Sequence, residues 1–171
     1  IYIANIRHSG IKGHNQTVFA YLVDADENNA PKGPSVGHDV QTFGGRLNGE
    51  LDALKFDFTY AHQSSWKDSD DIDVNFFQGE LAYIFGSLTP GIGYAYHEGS
   101  DNAGGKGFSN LFSTAHAFNG WADQFLATNN GGLANGLQDY HASLTYKQWG
   151  MTFKAAYHYF DTTENHSYSD D

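Results

Sequence analysis

The chain contains no cysteine, few basic residues and no long apolar run, and each absence narrows what the protein can be. Without cysteine, neither disulfides nor thiolate chemistry is available. Nine Lys and Arg stand against twenty Asp and Glu, which gives a formal charge of −11 at pH 7. This acidity disfavours nucleic acid as a partner, because phosphate binding needs a basic face. No apolar stretch reaches the roughly 18 residues that a transmembrane helix needs.

Aromatic residues and glycine are abundant instead. Eleven Tyr, thirteen Phe and three Trp make up 16% of the 171 residues, and twenty glycines accompany them. The mean hydropathy of the chain is nevertheless low. A soluble domain of this size usually builds its core from Leu, Ile and Val. The combination therefore indicates a β-sheet whose outer face is apolar and whose inner face is wet.

Eight segments alternate polar and apolar residues with the period of a β-strand. In LKFDFTYAH, which begins at Leu54, the apolar side chains share one face and the residues between them share the other. The predicted strands are 1–9, 16–24, 39–49, 54–62, 74–85, 88–98, 137–146 and 151–161.

The connections between these strands alternate strictly between short and long. The short ones are 10–15, 50–53, 86–87 and 147–150, and the long ones are 25–38, 63–73 and 99–136. In a sheet of sequential hairpins, this arrangement places every tight turn at one end and every long loop at the other. Strands of about 9–11 residues with loops sorted in this way are typical of an outer-membrane β-barrel. The sequence thus predicts a single all-β domain over 1–171, an antiparallel up-and-down transmembrane β-barrel, with 99–136 as a long extracellular or pore-folded loop.

The direction of the strands bears on whether this barrel is complete. With the short turns taken as periplasmic, the first strand starts and the last strand ends at the long-loop rim. Bacterial barrels of this type usually begin and end on the periplasmic side. We therefore expect the eight strands to be a consecutive portion of a larger barrel, completed by missing strands or partner chains, although eight strands are enough to close.

One stretch departs from the strand pattern. In AHAFNGWADQF, residues 115–125, the apolar residues recur at helical spacing. This run resembles the central signature of the alginate-export-type outer-membrane proteins, and so do GLQDY at 136–140 and AAYHYFD at 155–161. The match is strongest over residues 107–161, while the preceding strands agree only in pattern.

The resemblance implies a porin of the bacterial cell outer membrane, in contact with lipid and lipopolysaccharide. The family includes the channel through which bacteria export the anionic polysaccharide alginate. Carried over to this chain, the resemblance implies passive passage of small polar, anionic or oligosaccharide solutes, with no catalysis and no cofactor.

Charged residues on the predicted inner face are the candidates for the pathway of the permeant, because a pore selects by the charges that line it. They are Arg7, Arg46, Lys55, Asp57, Glu80, Asp139 and Lys154. Alternatively, pairs such as Lys55 with Asp57, or Lys154 with Asp139, only neutralise one another within the wall.

The helical segment in the longest loop is a second candidate site. It either anchors the loop or folds inward and constricts the pore. The residues predicted for a constriction are His116, Asn119, Trp121 and Asp123.

Metal and enzyme motifs are weak in this sequence. The nine histidines show neither His-x-x-x-His nor His-Glu-x-x-His spacing. His141 and His158 fall on neighbouring predicted strands, but two ligands do not make a site, so we predict none. The acidic loops 67–73 and 97–105 lack the spacing of an EF-hand. Two competing classes stay open: a soluble β-rich carbohydrate-binding module, and an outer-membrane barrel enzyme.

Overall fold

The computed structural model describes residues 1–24, 39–66, 72–100, 107–109 and 135–164. Its eight strands are β1 (Tyr2–His8), β2 (His14–Val23), β3 (Val40–Leu51), β4 (Leu54–Ser65), β5 (Asp73–Tyr83), β6 (Leu88–His97), β7 (Leu137–Gln148) and β8 (Met151–Asp161). No helix within the described ranges has the length and apolar character needed to cross a membrane.

All eight strands belong to one sheet, in sequence order from β1 to β8, and every neighbouring pair is antiparallel. The prediction of an all-β, up-and-down arrangement is therefore confirmed. The largest departure from the predicted bounds is in β4, which continues to Ser65 where the alternation predicted an end at residue 62. No pairing joins β1 to β8 among the described residues, so the sheet is unclosed.

A two-residue turn fixes the register of the β7–β8 hairpin. Gln148 pairs with Met151, and the two residues between them, Trp149 and Gly150, have φ angles of 53° and 74°. Positive φ at both central residues is the requirement of a type I′ turn, whose twist matches that of the strands. Glycine adopts this conformation without steric cost, which suits it to the second position.

The two faces of the sheet differ in the way the alternation predicted. On the outer face, large apolar side chains from the strands are exposed, including Val18, Ile92 and Tyr157. On the inner face, polar and charged side chains occur along the length of the strands, and those at the long-loop end, such as Gln63 and Asp139, are buried. The buried apolar cluster also lies on the inner face, near the long-loop end. Its members are Val23, Val40, Ala61, Ile72, Val74, Phe76 and Phe108.

Candidate functional site

The predicted pathway residues all lie on the inner face. Directly paired residues of neighbouring strands share a face, and the registers connect Arg7 with Arg46 through Thr17. Asp57 lies directly opposite Glu80. The same face continues across the sheet to β7 and β8, where it carries Asp139 and Lys154. The alternation therefore placed each of these side chains on the correct face.

Arg46 and Asp57 form a two-pronged ion pair between β3 and β4. The Nε atom of Arg46 donates to Oδ1 of Asp57 at 2.8 Å, and Nη2 donates to the other carboxylate oxygen. This fork geometry fixes both side chains against the wall. The alternative pairing of Lys55 with Asp57 is wrong, because Asp57 accepts from Arg46, while Nζ of Lys55 lies 3.6 Å from Oε2 of Glu50.

Asp139 takes part in a different contact from the one predicted. Both of its carboxylate oxygens lie 3.0 Å from Nδ1 of His158. Lys154 is opposite Thr145, further along β7 towards the short turn, whereas Asp139 is opposite Phe160. The pairing of Lys154 with Asp139 is therefore wrong, because the register separates them along the hairpin.

His141 connects Asp139 to Glu80. Its Nδ1 atom lies 3.7 Å from Oδ2 of Asp139, and its Nε2 atom lies 3.6 Å from Oε1 of Glu80. The imidazole rings of His141 and His158 stack at a centroid distance of 5.2 Å. The inner face thus carries a continuous group of two acids and two histidines across β5, β7 and β8.

Two adjoining cavities lie against the charged part of this face. One of about 720 Å³ is lined by residues that reach from Asn15 in β2 to Ser143 in β7. The other, of about 580 Å³, is lined by Arg7 and Arg46 among others, and Asp57 and Glu80 border both cavities. Because strands so far apart line one space, the sheet curves around it.

At the long-loop end, part of the loop between β6 and β7 packs on the inner face. The Phe108 ring stacks on Phe76 at 5.2 Å and is 5% exposed. The side chain of Gln63 donates to the carbonyl of Ser109 at 3.1 Å and accepts from the amide of Ser109 at 3.0 Å. Residues 107–109 therefore cover the inner wall at this end.

His116, Asn119, Trp121 and Asp123, together with the predicted helical segment 115–125, lie outside the described residues. The docking of Phe108 and Ser109 was missed by the sequence reasoning, because neither residue belongs to a periodic pattern. The grouping of Asp139 with His141 and His158 was missed as well, because alternation gives their common face, whereas the connection predicted over 147–150 does not give the register of the β7–β8 hairpin.

Comparison with known protein families finds none that matches this chain. A search of curated proteins likewise finds no similar sequence. The functional interpretation therefore depends on the geometry of the sheet and on the chemistry of its two faces.

Proposed function

We propose that this sheet is part of the wall of a β-barrel in the bacterial outer membrane, and that its inner face lines a channel for small polar or saccharide solutes. The polarity of the two faces supports this most directly. Ile92 and Tyr157 on the outer face are 67% and 69% exposed, and the inner face carries exposed charged side chains such as Lys55, which is 46% exposed. A water-filled barrel in lipid has this distribution, with apolar residues outside and polar residues inside.

The extent of the apolar outer face argues against a soluble binding module. Soluble monomers rarely expose a contiguous apolar patch larger than a few hundred Å². Here exposed large apolar side chains occur on the outer face of all eight strands. They include Ile6, Val18, Leu47, Phe58, Tyr60, Phe77, Leu81, Ile92, Tyr140, Leu144, Phe153 and Tyr157. A lipid environment would cover this surface without a further protein layer.

The length of the strands agrees with the same proposal. The strands from β2 to β8 have 10 to 12 residues, and a tilted transmembrane strand needs about 9–11. Exposed aromatic side chains occur near the short-turn rim, where Phe85 is 63% and Trp149 is 78% exposed. Aromatic residues favour the membrane–water interface because one part of the ring is apolar and the other tolerates water.

The open edges of the sheet support a barrel larger than these eight strands. The outer edges of β1 and β8 have no partner strand within the described residues, and every residue of β1 is exposed. In hydrocarbon an unpaired backbone group costs several kcal/mol, so barrels in membranes are closed. We therefore propose that further strands, of the same chain or of another, pair with β1 and β8.

The charges on the inner face bear on the permeant. Cations and carboxylates are mixed there, and Arg46 and Asp57 neutralise one another within the wall. A wall of both signs with many hydrogen-bonding groups suits neutral polar solutes such as saccharides better than it suits a polyanion. The proposed activity is passive passage, without a catalytic step.

Two adjacent alanines in the middle of β8 offer a matched test. Ala155 lies opposite Leu144 on the outer face, and Ala156 lies opposite Ser143 on the inner face. Both are exposed. If the outer face contacts lipid, Ala155→Arg costs about 2–4 kcal/mol of folding free energy near the bilayer midplane, whereas a charge facing the lumen is tolerated. Ala156→Arg therefore has little effect.

The measurement is reversible unfolding of the chain in lipid vesicles, by denaturant titration followed by tryptophan fluorescence. A soluble module predicts that both variants behave alike, because arginine on either exposed face stays in water. Equal free energies of unfolding for Ala155→Arg and Ala156→Arg would therefore contradict the membrane proposal. Conductance across a planar bilayer, with and without added oligosaccharide, then tests the channel itself.

A further inference from the structure

Three side chains with metal-binding atoms converge on the inner face of the β7–β8 hairpin. Asp139 and His141 are two residues apart in β7 and point to the same face, and His158 lies directly opposite His141. The ligand atoms of the three residues all lie within 4.8 Å of one another. The group is therefore assembled by the register of a single hairpin.

The neighbouring strand leaves room for the group. Gly93 of β6 lies opposite His141 on the other side of β7. A Cβ atom at residue 93 would collide with the imidazole ring of His141 and would lie 3.0 Å from Cγ of Glu80. Because glycine has no side chain there, the ring lies over the backbone of β6 with its two nitrogens between Glu80 and Asp139.

The hydrogen bonding of His141 is incomplete in a way that suits a metal ligand. Its Nδ1 atom is buried and has no hydrogen-bond partner, and the nearest Asp139 oxygen, at 3.7 Å, is too distant for one. Buried polar atoms normally have a partner, because leaving one unpaired costs free energy. A cation bound between Nδ1 and the Asp139 carboxylate would give this nitrogen a partner.

Glu80 completes the arrangement from the other side of the ring. Its carboxylate faces Nε2 of His141 at 3.6 Å. Histidines that bind a metal through one nitrogen usually direct the other N–H at a carboxylate, which fixes the tautomer and raises the basicity of the ligand. Glu80 therefore has the position of the residue that orients such a ligand.

We propose that Asp139, His141 and His158 bind a divalent transition-metal ion, with Zn²⁺ as the best match. Two imidazole nitrogens and one carboxylate oxygen are typical zinc ligands, with bonds of about 2.0–2.2 Å. Neighbouring ligands of a tetrahedral ion with such bonds lie about 3.3 Å apart. The two separations around Asp139, 3.0 Å and 3.7 Å, are close to that value, and all three ligand atoms lie within 4.8 Å of one another. Three protein ligands leave one position open for water or for a solute.

This site does not depend on the channel. Its residues are held by the pairing of β6, β7 and β8 and by Glu80 on β5, whether or not the sheet is part of a barrel. The two proposals therefore fail separately: conductance tests the channel, and metal titration tests the site.

The test is titration of the folded full chain with Co²⁺ and Zn²⁺ after treatment with a chelator. We expect one ion per chain, visible absorption bands of Co²⁺ with nitrogen and oxygen ligands, and displacement of Co²⁺ by Zn²⁺. Asp139→Asn, His141→Gln and His158→Gln should each weaken Zn²⁺ binding at least about tenfold, because each removes a direct ligand. His14→Gln, which removes a partly buried histidine on β2 away from the three ligands, is the control and should leave the dissociation constant unchanged.

Two further variants keep all three ligands, so the test does not depend on a ligand variant that fails to fold. Gly93→Ala displaces the ring of His141, and Glu80→Gln removes the carboxylate that faces Nε2; both should weaken Zn²⁺ binding about tenfold or more. Folding of each variant is checked by far-UV circular dichroism before titration. Absence of Co²⁺ binding to the wild-type chain, or equal affinity in the wild type and all folded site variants, would overturn the proposal.

Discussion

The two ends of the inner face differ although the same strands form both. At the long-loop end, Val23, Val40 and Phe76 form a buried apolar cluster together with Phe108. At the short-turn end, a cavity of about 720 Å³ lies against side chains such as Lys55 and Asp57. The alternation of a strand decides which side chains face inward. Whether the space in front of them is filled is decided by chain segments outside the strands.

The inner-face residues differ in burial between the two ends. Towards the long loops the inward side chains are buried, both the apolar cluster and polar residues such as Thr42 and Gln63, and a loop residue such as Phe108 gains by packing there. Towards the short turns the strands place charged side chains inward, which need water or an ion partner. In the proposed channel, residues 107–109 would narrow one end, while the other end stays wide and charged.

Among the tests of the difference between the two ends, removal of the Phe108 ring should have the largest effect. Phe108→Ala deletes the stack on Phe76 and leaves a space at a site that is 5% exposed. Replacement of a buried Phe by Ala typically costs about 3–5 kcal/mol. We expect a loss of that order in the free energy of unfolding, together with a higher single-channel conductance, because residues 107–109 lose their anchor.

The control is Phe85→Ala, since Phe85 is an aromatic residue at the opposite rim that is 63% exposed. Phe85→Ala should lower the free energy of unfolding much less than Phe108→Ala and leave the conductance unchanged. Equal losses for the two variants would mean that the long-loop end is no better packed than the short-turn rim.

A smaller effect is expected from Gln63, which ties the same loop segment to the wall by hydrogen bonds. Its side chain bonds both backbone groups of Ser109 and donates to Thr42 at 2.9 Å. Gln63→Ala leaves these buried groups without their partner, which typically costs about 1–3 kcal/mol. Gln41→Ala is the matched control, because the Gln41 side chain donates to Ser64 at 3.1 Å on a less buried site. Chemical denaturation of both variants measures the difference in free energy of unfolding. If Gln41→Ala loses as much as Gln63→Ala, the hydrogen bonds of Gln63 to Ser109 do not stabilise the loop segment.

The sequence was sufficient to predict the strands, their order and their faces. Alternation predicts the face, but the register depends on the turn. The structure pairs Gln148 with Met151 across Trp149–Gly150, which places His141 opposite His158. The connection predicted over 147–150 implies a different register, so the grouping of these histidines with Asp139 did not follow from the predicted strand bounds.

Other contacts could not be predicted from the two-residue periodicity of the strands. Several cationic side chains share the face of Asp57. Asp57 pairs with Arg46 because of the reach and the fork geometry of the guanidinium group. The docking of Phe108 depends on how a loop without periodicity returns over the sheet. Such contacts are set by tertiary packing, which a single sequence does not encode in its local pattern.

The smallest change in stability, and one specific to the charged end, is expected for the Arg46–Asp57 pair. The two side chains are 50% and 24% exposed, and exposed ion pairs contribute about 0–1 kcal/mol.

The effect of these two charges on permeation should be larger than their effect on folding. Asp57→Asn leaves the positive charge of Arg46 unpaired on the wall and should shift the reversal potential in a salt gradient towards anion selectivity. Arg46→Gln should shift it towards cations, because Asp57 is then unpaired. The double variant removes both charges and should restore the wild-type selectivity, which makes it the internal control. If all three variants keep the wild-type reversal potential, the charged end of the inner face does not line the pathway of the permeant.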